Sequence, residues 1–195
     1  MRQYYYPPSG FGFWYQLGVF NIVHKDEDIV LGSSSGSLIC LISILKKEHR
    51  QFKIISDISL DLIKEINQYN LHFYVTRFIE AIFLIINQYD SEYIKERLSK
   101  VYIIITDVQF LSLNQVIVNP KDLQVLKEAI TASCYIPMLS RFNNLLYYPF
   151  NNMKCIDGVF SSKLTSKKGF KTINSIVYAS VIPCSYNKAK KMYDK

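Results

Sequence analysis

Histidine is scarce in this chain of 195 residues: there are three, His24, His49 and His72. None lies at ligand spacing from a cysteine. The four cysteines, Cys40, Cys134, Cys155 and Cys184, form no C-x-x-C pair. Zinc-finger and thioredoxin-type motifs are thereby excluded. Each cysteine sits in an apolar neighbourhood and reads as a buried free thiol of a reducing compartment. Seven glycines and six prolines are too few for a low-complexity chain. Long apolar runs are missing as well. The greasiest stretch, residues 71–87, is interrupted by His72, Arg77 and Glu80, too short and too charged for a bilayer span. The opening "MRQYYYPPSG" lacks the apolar core of a signal peptide. These absences lead us to expect an intracellular protein, cytoplasmic or peripheral to a membrane.

What is present is a globular composition, with 49% hydrophobic and 20% charged residues. No repeat or linker divides it, so one domain over residues 1–195 is expected, with a polar tail from about residue 185. The net charge of +7 favours anionic partners, a phospholipid surface or a nucleic acid. The basic residues are scattered, with local density only at Lys163 to Lys171 and Lys188 to Lys195. A nucleic-acid face would cluster them among aromatics, so no nucleic acid is expected as partner.

Strands and helices alternate along the chain. Apolar runs predict strands at 3–6, 29–31, 101–106, 115–118, 145–148, 154–156 and 175–181. Helical spacing predicts helices at 13–24, 37–47, 57–70, 71–87, 91–100 and 120–133. Asp57 or a neighbouring Ser would cap the third of these, and Ser91 the fifth. Asn151-Asn152 marks a turn. This alternation predicts an α/β fold, a sheet covered by helices on both faces.

One stretch carries chemistry. Residues 30–40 read "VLGSSSGSLIC". Gly32-Ser33-Ser34-Ser35-Gly36 is a G-x-S-x-G pattern between an expected strand and an expected helix, the context of a nucleophile elbow. There the flanking glycines leave room for a tight turn, the central Ser34 is exposed, and the helix N-terminus faces its hydroxyl. A serine nucleophile needs a base. None of the three histidines stands late in the chain, where a Ser-His-Asp triad on an α/β sheet would place it. Asp157, in "CIDGVF", follows an apolar strand end. The Asp157-Gly158 pair reads either as an ordinary turn or as the missing base. "PPSGFGFW" offers Gly10, Phe11 and Gly12 as a bend whose amides could cradle an oxyanion with that of Ser35, or as a plain turn. The aromatics Tyr4 to Tyr6 and Phe11 to Tyr15 read either as core or as an apolar mouth that docks on lipid.

In chain order these motifs, a glycine loop, a G-x-S-x-G elbow and a late Asp-Gly, resemble the patatin-like phospholipases. "SGFGFWYQLGV", "NPKDLQVLKEAITASCYIP", "CIDGVFSSKL" and "ASVIPCSY" are similar to family segments over residues 3 to 185, most of all to its acylglycerol and triglyceride-lipase branch. The resemblance implies a three-layer α/β/α sandwich around a mostly parallel sheet. It implies hydrolysis of phospholipid or acylglycerol esters by a Ser34–Asp157 dyad, with no metal or organic cofactor. Phe11 stands where many members have glycine, and Val159 where a second glycine is common. That motivates an alternative: a weak or inactive protein of this fold that binds membranes or acyl lipids.

Overall fold

The strands of the sheet send alternate side chains to two different cores. Tyr4, Tyr6, Val30, Ile103 and Ile105 belong to the larger core, while Tyr5, Leu31 and Ile104, with Tyr102 against them, form a smaller cluster on the opposite face. In this computed structural model, residues 1–65, 71–110, 112–137, 146–161 and 171–173 are described. Strands β1 (Gln3–Tyr6), β2 (Ile29–Ser33) and β3 (Val101–Gln109) lie side by side and parallel. The later strands are β4 (Ser112–Val118), β5 (Tyr148–Phe150), β6 (Met153–Ile156) and β7 (Lys171–Thr172). The last of these joins β1 in parallel. Strands β4 and β6 are antiparallel to β3, and β5 to β6, so five of these seven strands run one way. The fold is α/β with a mixed, mostly parallel sheet.

The pairing around β3 places the site. Strand β4 pairs along Ile103 to Gln109 and so occupies one edge of β3. Strand β2 pairs with the other edge up to Ile104, and β6 takes that edge over at Thr106. A fork therefore opens beside Ile105, where β2 turns away and β6 ends. The fork lies at the carboxyl ends of β2 and β3, the end of an open α/β sheet where ligands bind.

Helices α1 (Phe13–Val23), α2 (Ser35–Ser43), α3 (Phe52–Glu65), α4 (Leu71–Ile86), α5 (Ser91–Leu98) and α6 (Leu123–Ser133) alternate with the strands. Helix α2 is buried along its whole length and touches α1, α4 and α6. Several boundaries differ from those expected. Helix α2 begins at Ser35, because the turn before it takes only one residue. It ends at Ser43, whose carbonyl accepts from the buried Arg97 Nε at 3.1 Å. Helix α3 begins at Phe52, five residues before Asp57, and turns Phe52, Ile55, Ser59 and Leu62 inward. Asp90, not Ser91, caps α5, accepting from the Tyr93 amide at 2.8 Å. Asp122 caps α6 through the Val125 amide at 2.8 Å, leaving Pro120 outside the helix. The hairpin of β3 and β4 is longer than expected at both strands. The turn at Asn151 and Asn152 stands, with φ of 46° and 62°. Strand β7 was without a sequence signal. The expected strand at 175–181, the tail, Cys184 and residue 145 lie outside the described residues. Cys40, Cys134 and Cys155 are free and buried. Among the described residues no helix is long and apolar enough to cross a membrane.

Candidate active site

Strand β2 ends at Ser33 and α2 starts at Ser35, so Ser34 alone reverses the chain. It does so at φ 53° and ψ −129°, a region that L-residues with side chains avoid. Both of its peptide groups are pinned. The Ser34 amide donates to Ser133 Oγ at 2.8 Å, and that hydroxyl donates to the Ile104 carbonyl at 2.7 Å. The Ser34 carbonyl accepts from the Ser37 amide at 2.8 Å, Ser37 Oγ at 2.6 Å and Cys134 Sγ at 3.2 Å. The two elbow glycines are required by close approach. A Cβ on Gly36 would strike the Tyr6 carbonyl of β1, and one on Gly32 would strike the Gly36 carbonyl and Cys40 Sγ.

Ser34 occupies the N-cap position of α2, where serine commonly caps, yet its hydroxyl makes no capping bond. It donates instead to Asp157 Oδ2 at 2.7 Å, across 123 residues of chain. The Ser35 amide in the first turn of α2 is left without an internal acceptor among the described residues, as helix N-termini leave their donors.

Asp157 arrives from the other side of the fork. Its amide donates to the Tyr135 carbonyl at 2.7 Å, and its carbonyl accepts from Thr106 Oγ1 at 2.9 Å. Thr106 shares a further hydrogen bond with Ser161 Oγ at 2.7 Å. The second carboxylate oxygen, Oδ1, accepts from the Val159 amide at 2.8 Å. The side chain is fully buried, and no ion pair reaches it among the described residues. Burial pushes its pKa from 3.8 up to about 6, against the opposing pull of the Val159 and Ser34 hydrogen bonds. Asp28 shows the contrast. Arg2 and the backbone amides around it overcome its desolvation and hold it below the usual carboxylate range. The Cys134 thiol beside Ser34 is pushed upward by burial and by the charge of Asp157, and stays protonated.

The glycine loop lies against the elbow. The Ser9 amide donates to Ser35 Oγ at 3.0 Å, and the two hydroxyls share a hydrogen bond of 2.9 Å. Gly10, at φ 51°, starts a single 3-10 turn through Gly12. The expected donor at Gly12 is corrected: its amide is engaged by the Ser9 carbonyl at 2.8 Å. The amides of Gly10 and Phe11 have no internal acceptor among the described residues. Of the two readings of the aromatics, the core one holds for six of them. Tyr4, Tyr5, Tyr6, Phe13, Trp14 and Tyr15 are all buried, because β1 and α1 form the centre of the core.

The described histidines lie away from this fork. His24 follows α1, stacks on Phe20 at 4.3 Å, and is pushed down to about 3 by burial with Arg50 and Arg97 beside it. His49 is hydrogen-bonded through Nδ1 to the Tyr89 hydroxyl at 2.6 Å. A shallow pocket lined by Met1, Arg2, Gln3, Tyr4 and Lys171 lies where β1 starts, at the opposite end of the sheet from Ser34. Among the described residues no group of three His, Cys, Asp or Glu could hold a metal ion.

Sequence reasoning had no role for Ser9, Ser37, Thr106 or Ser133. Of these only Ser133 carried a signal, the Ala132-Ser133-Cys134 run after α6, and nothing in that run says which backbone group the hydroxyl bridges. No protein-family model matches this chain, and no curated protein matches it at a significant level.

Proposed function

We propose that the chain is a serine hydrolase of lipid acyl esters, a phospholipase or acylglycerol lipase, built as a patatin-like three-layer α/β/α sandwich and working through a Ser–Asp dyad. The observation that carries this reading is the 2.7 Å hydrogen bond from Ser34 Oγ to Asp157 Oδ2, made by a serine held at positive φ. Asp157 as a carboxylate takes the Ser34 proton while Oγ attacks the ester carbonyl carbon. The charge that develops on the carbonyl oxygen faces the Ser35 amide at the N-terminus of α2 and the Gly10 and Phe11 amides. Collapse breaks the ester C–O bond, and Asp157 returns the proton to the departing alcohol. Water then attacks the acyl-Ser34, giving its proton to Asp157, and the acid leaves as Ser34 regains its hydrogen. The buried carboxyl, at about 6, is ionised at neutral pH yet basic enough to accept a proton. Hydrolysis of phospholipid and acylglycerol by the wild type and by Ser34→Ala tests the reading. Loss of more than about a thousandfold in the variant is expected, and equal rates remove it.

A second reading, a weak or inactive protein of the same architecture that binds acyl lipids, is favoured by one observation. Closing the loop into a 3-10 turn engages the Gly12 amide internally. One oxyanion donor fewer costs about 3 to 4 kcal/mol of transition-state stabilisation. Acyl-lipid binding without any turnover would select this reading.

A further inference from the structure

The hairpin of β3 and β4 runs past the fork and ends in an unprotected aromatic. Phe110 at its tip is 97% exposed. On β4, Leu113 and Ile117 are exposed as well, at alternate positions and so on one face, with Gln115 between them. Val116 and Val118 pack toward the larger core, so this face is the opposite one. Gln115 Nε2 donates to the Ser161 carbonyl at 3.1 Å, which sets the 3-10 turn Gly158–Phe160 beside it. That turn exposes Val159 and Phe160, and the Val159 amide is the one that holds Asp157 Oδ1. The apolar face thus continues to the dyad. Solvent-exposed phenylalanine at a hairpin tip, joined to further exposed apolar side chains, marks a docking surface rather than ordinary surface.

Charge identifies the occupant. In the segments that build this end, residues 106–118 and 146–161, the acidic residues are Asp107 and Asp157, both buried, so none of these segments exposes a carboxylate. Lys154 sits on β6 beyond the last pair with β3, on the side of the hairpin tip, and is exposed. An apolar face with no exposed carboxylate in its own segments and with the exposed Lys154 at its edge, in a chain of net charge +7, complements an anionic phospholipid surface. We infer that the protein docks on an anionic phospholipid surface through the tip and outer face of the β3–β4 hairpin, with Phe110 inserted and Phe160 at the interface. This rests on the hydrolase reading for its purpose: docking there presents the lipid to the Ser34–Asp157 fork.

The test is flotation of the full chain with vesicles of phosphatidylcholine and phosphatidylserine in equal parts, and with phosphatidylcholine alone. Ser34→Ala serves as parent, so that binding is read without turnover. The comparison is the same chain carrying Phe110→Ser and Leu113→Ser, both at exposed positions, with an unchanged melting temperature as the check on folding. The expected result is binding of the parent to the mixed vesicles, weakened by salt and weaker on phosphatidylcholine alone. In the variant the partition should fall by at least about tenfold. Flotation of the variant equal to the parent overturns the inference, as does failure of the parent to bind the mixed vesicles. Substitutions that abolish a concentration-dependent dimer while leaving flotation intact also overturn it, and make the face a contact between copies. Wild-type cleavage of a water-soluble short-chain ester is measured in parallel. Its absence counts against the hydrolase reading, while the flotation result still decides the docking face.

Discussion

Replacing Asp157 by asparagine should abolish activity and make the protein more stable, and the stabilisation should depend on pH in a defined way. In the folded chain the Asp157 carboxyl is fully buried, unpaired by any cation among the described residues, and raised from 3.8 to about 6. At about 1.4 kcal/mol per tenfold in proton affinity, the folded state disfavours the carboxylate by about 3 kcal/mol. The sign follows from proton uptake. Between about pH 4 and 6 the native chain holds a proton that the unfolded chain has released, so wild-type stability falls as pH rises through that window and is flat above it. Asparagine carries no charge and can still accept the Val159 amide through Oδ1. Thermal unfolding should therefore show the variant about 6 to 12 °C above the wild type at about pH 8, with the gap closing by about pH 4. A variant less stable than the wild type by the same amount at both pH values would refute the reasoning. It would mean that Asp157 is a satisfied structural carboxylate rather than a strained, reactive one.

Further outcomes follow from the same geometry. Ester turnover should fall about tenfold per pH unit below about 6, as Asp157 takes up its proton, and a pH-rate profile checks this. Ser34→Gly and Ser34→Ala both remove the hydroxyl, but only glycine accepts φ 53° freely, so the glycine variant should be the more stable by about 1 kcal/mol in urea unfolding. Ser133→Ala leaves the Ser34 amide and the Ile104 carbonyl without their bridge. It should cost about 1–3 kcal/mol. It should also lower turnover while leaving the midpoint of the pH profile in place, because Ser133 positions the elbow without touching Asp157.

The elbow was legible because three constraints there are local: branched apolar residues before Gly32, small residues through the turn, and a helix-spaced run after it. The meeting of Ser34 with Asp157 was not local. Spacing alone left Asp157-Gly158 open as a turn, and only the fork where β6 replaces β2 on the edge of β3 brings the two together. Helix starts were misjudged where an aspartate stood next to another plausible cap, as at Asp90 and Ser91, since the competition is settled by which side chain reaches the free amide. Tyr4 to Tyr6 and Phe13 to Tyr15 were ambiguous for a similar reason. An aromatic run looks the same in a core and at a mouth, and β1 was placed between β2 and β7 only by pairing. The exposure of Phe110 at the hairpin tip was not legible, because nothing in its sequence neighbourhood separates an exposed phenylalanine from a buried one.

The most direct measurement of the central claim, that Asp157 activates Ser34 as a nucleophile, is the site and rate of fluorophosphonate labelling followed by mass spectrometry of the digested protein. The account predicts one adduct, on Ser34, formed at a rate that falls with a midpoint near pH 6 and is lost in Asp157→Asn. An unlabelled Ser34, or an adduct formed equally fast in Asp157→Asn, would contradict it.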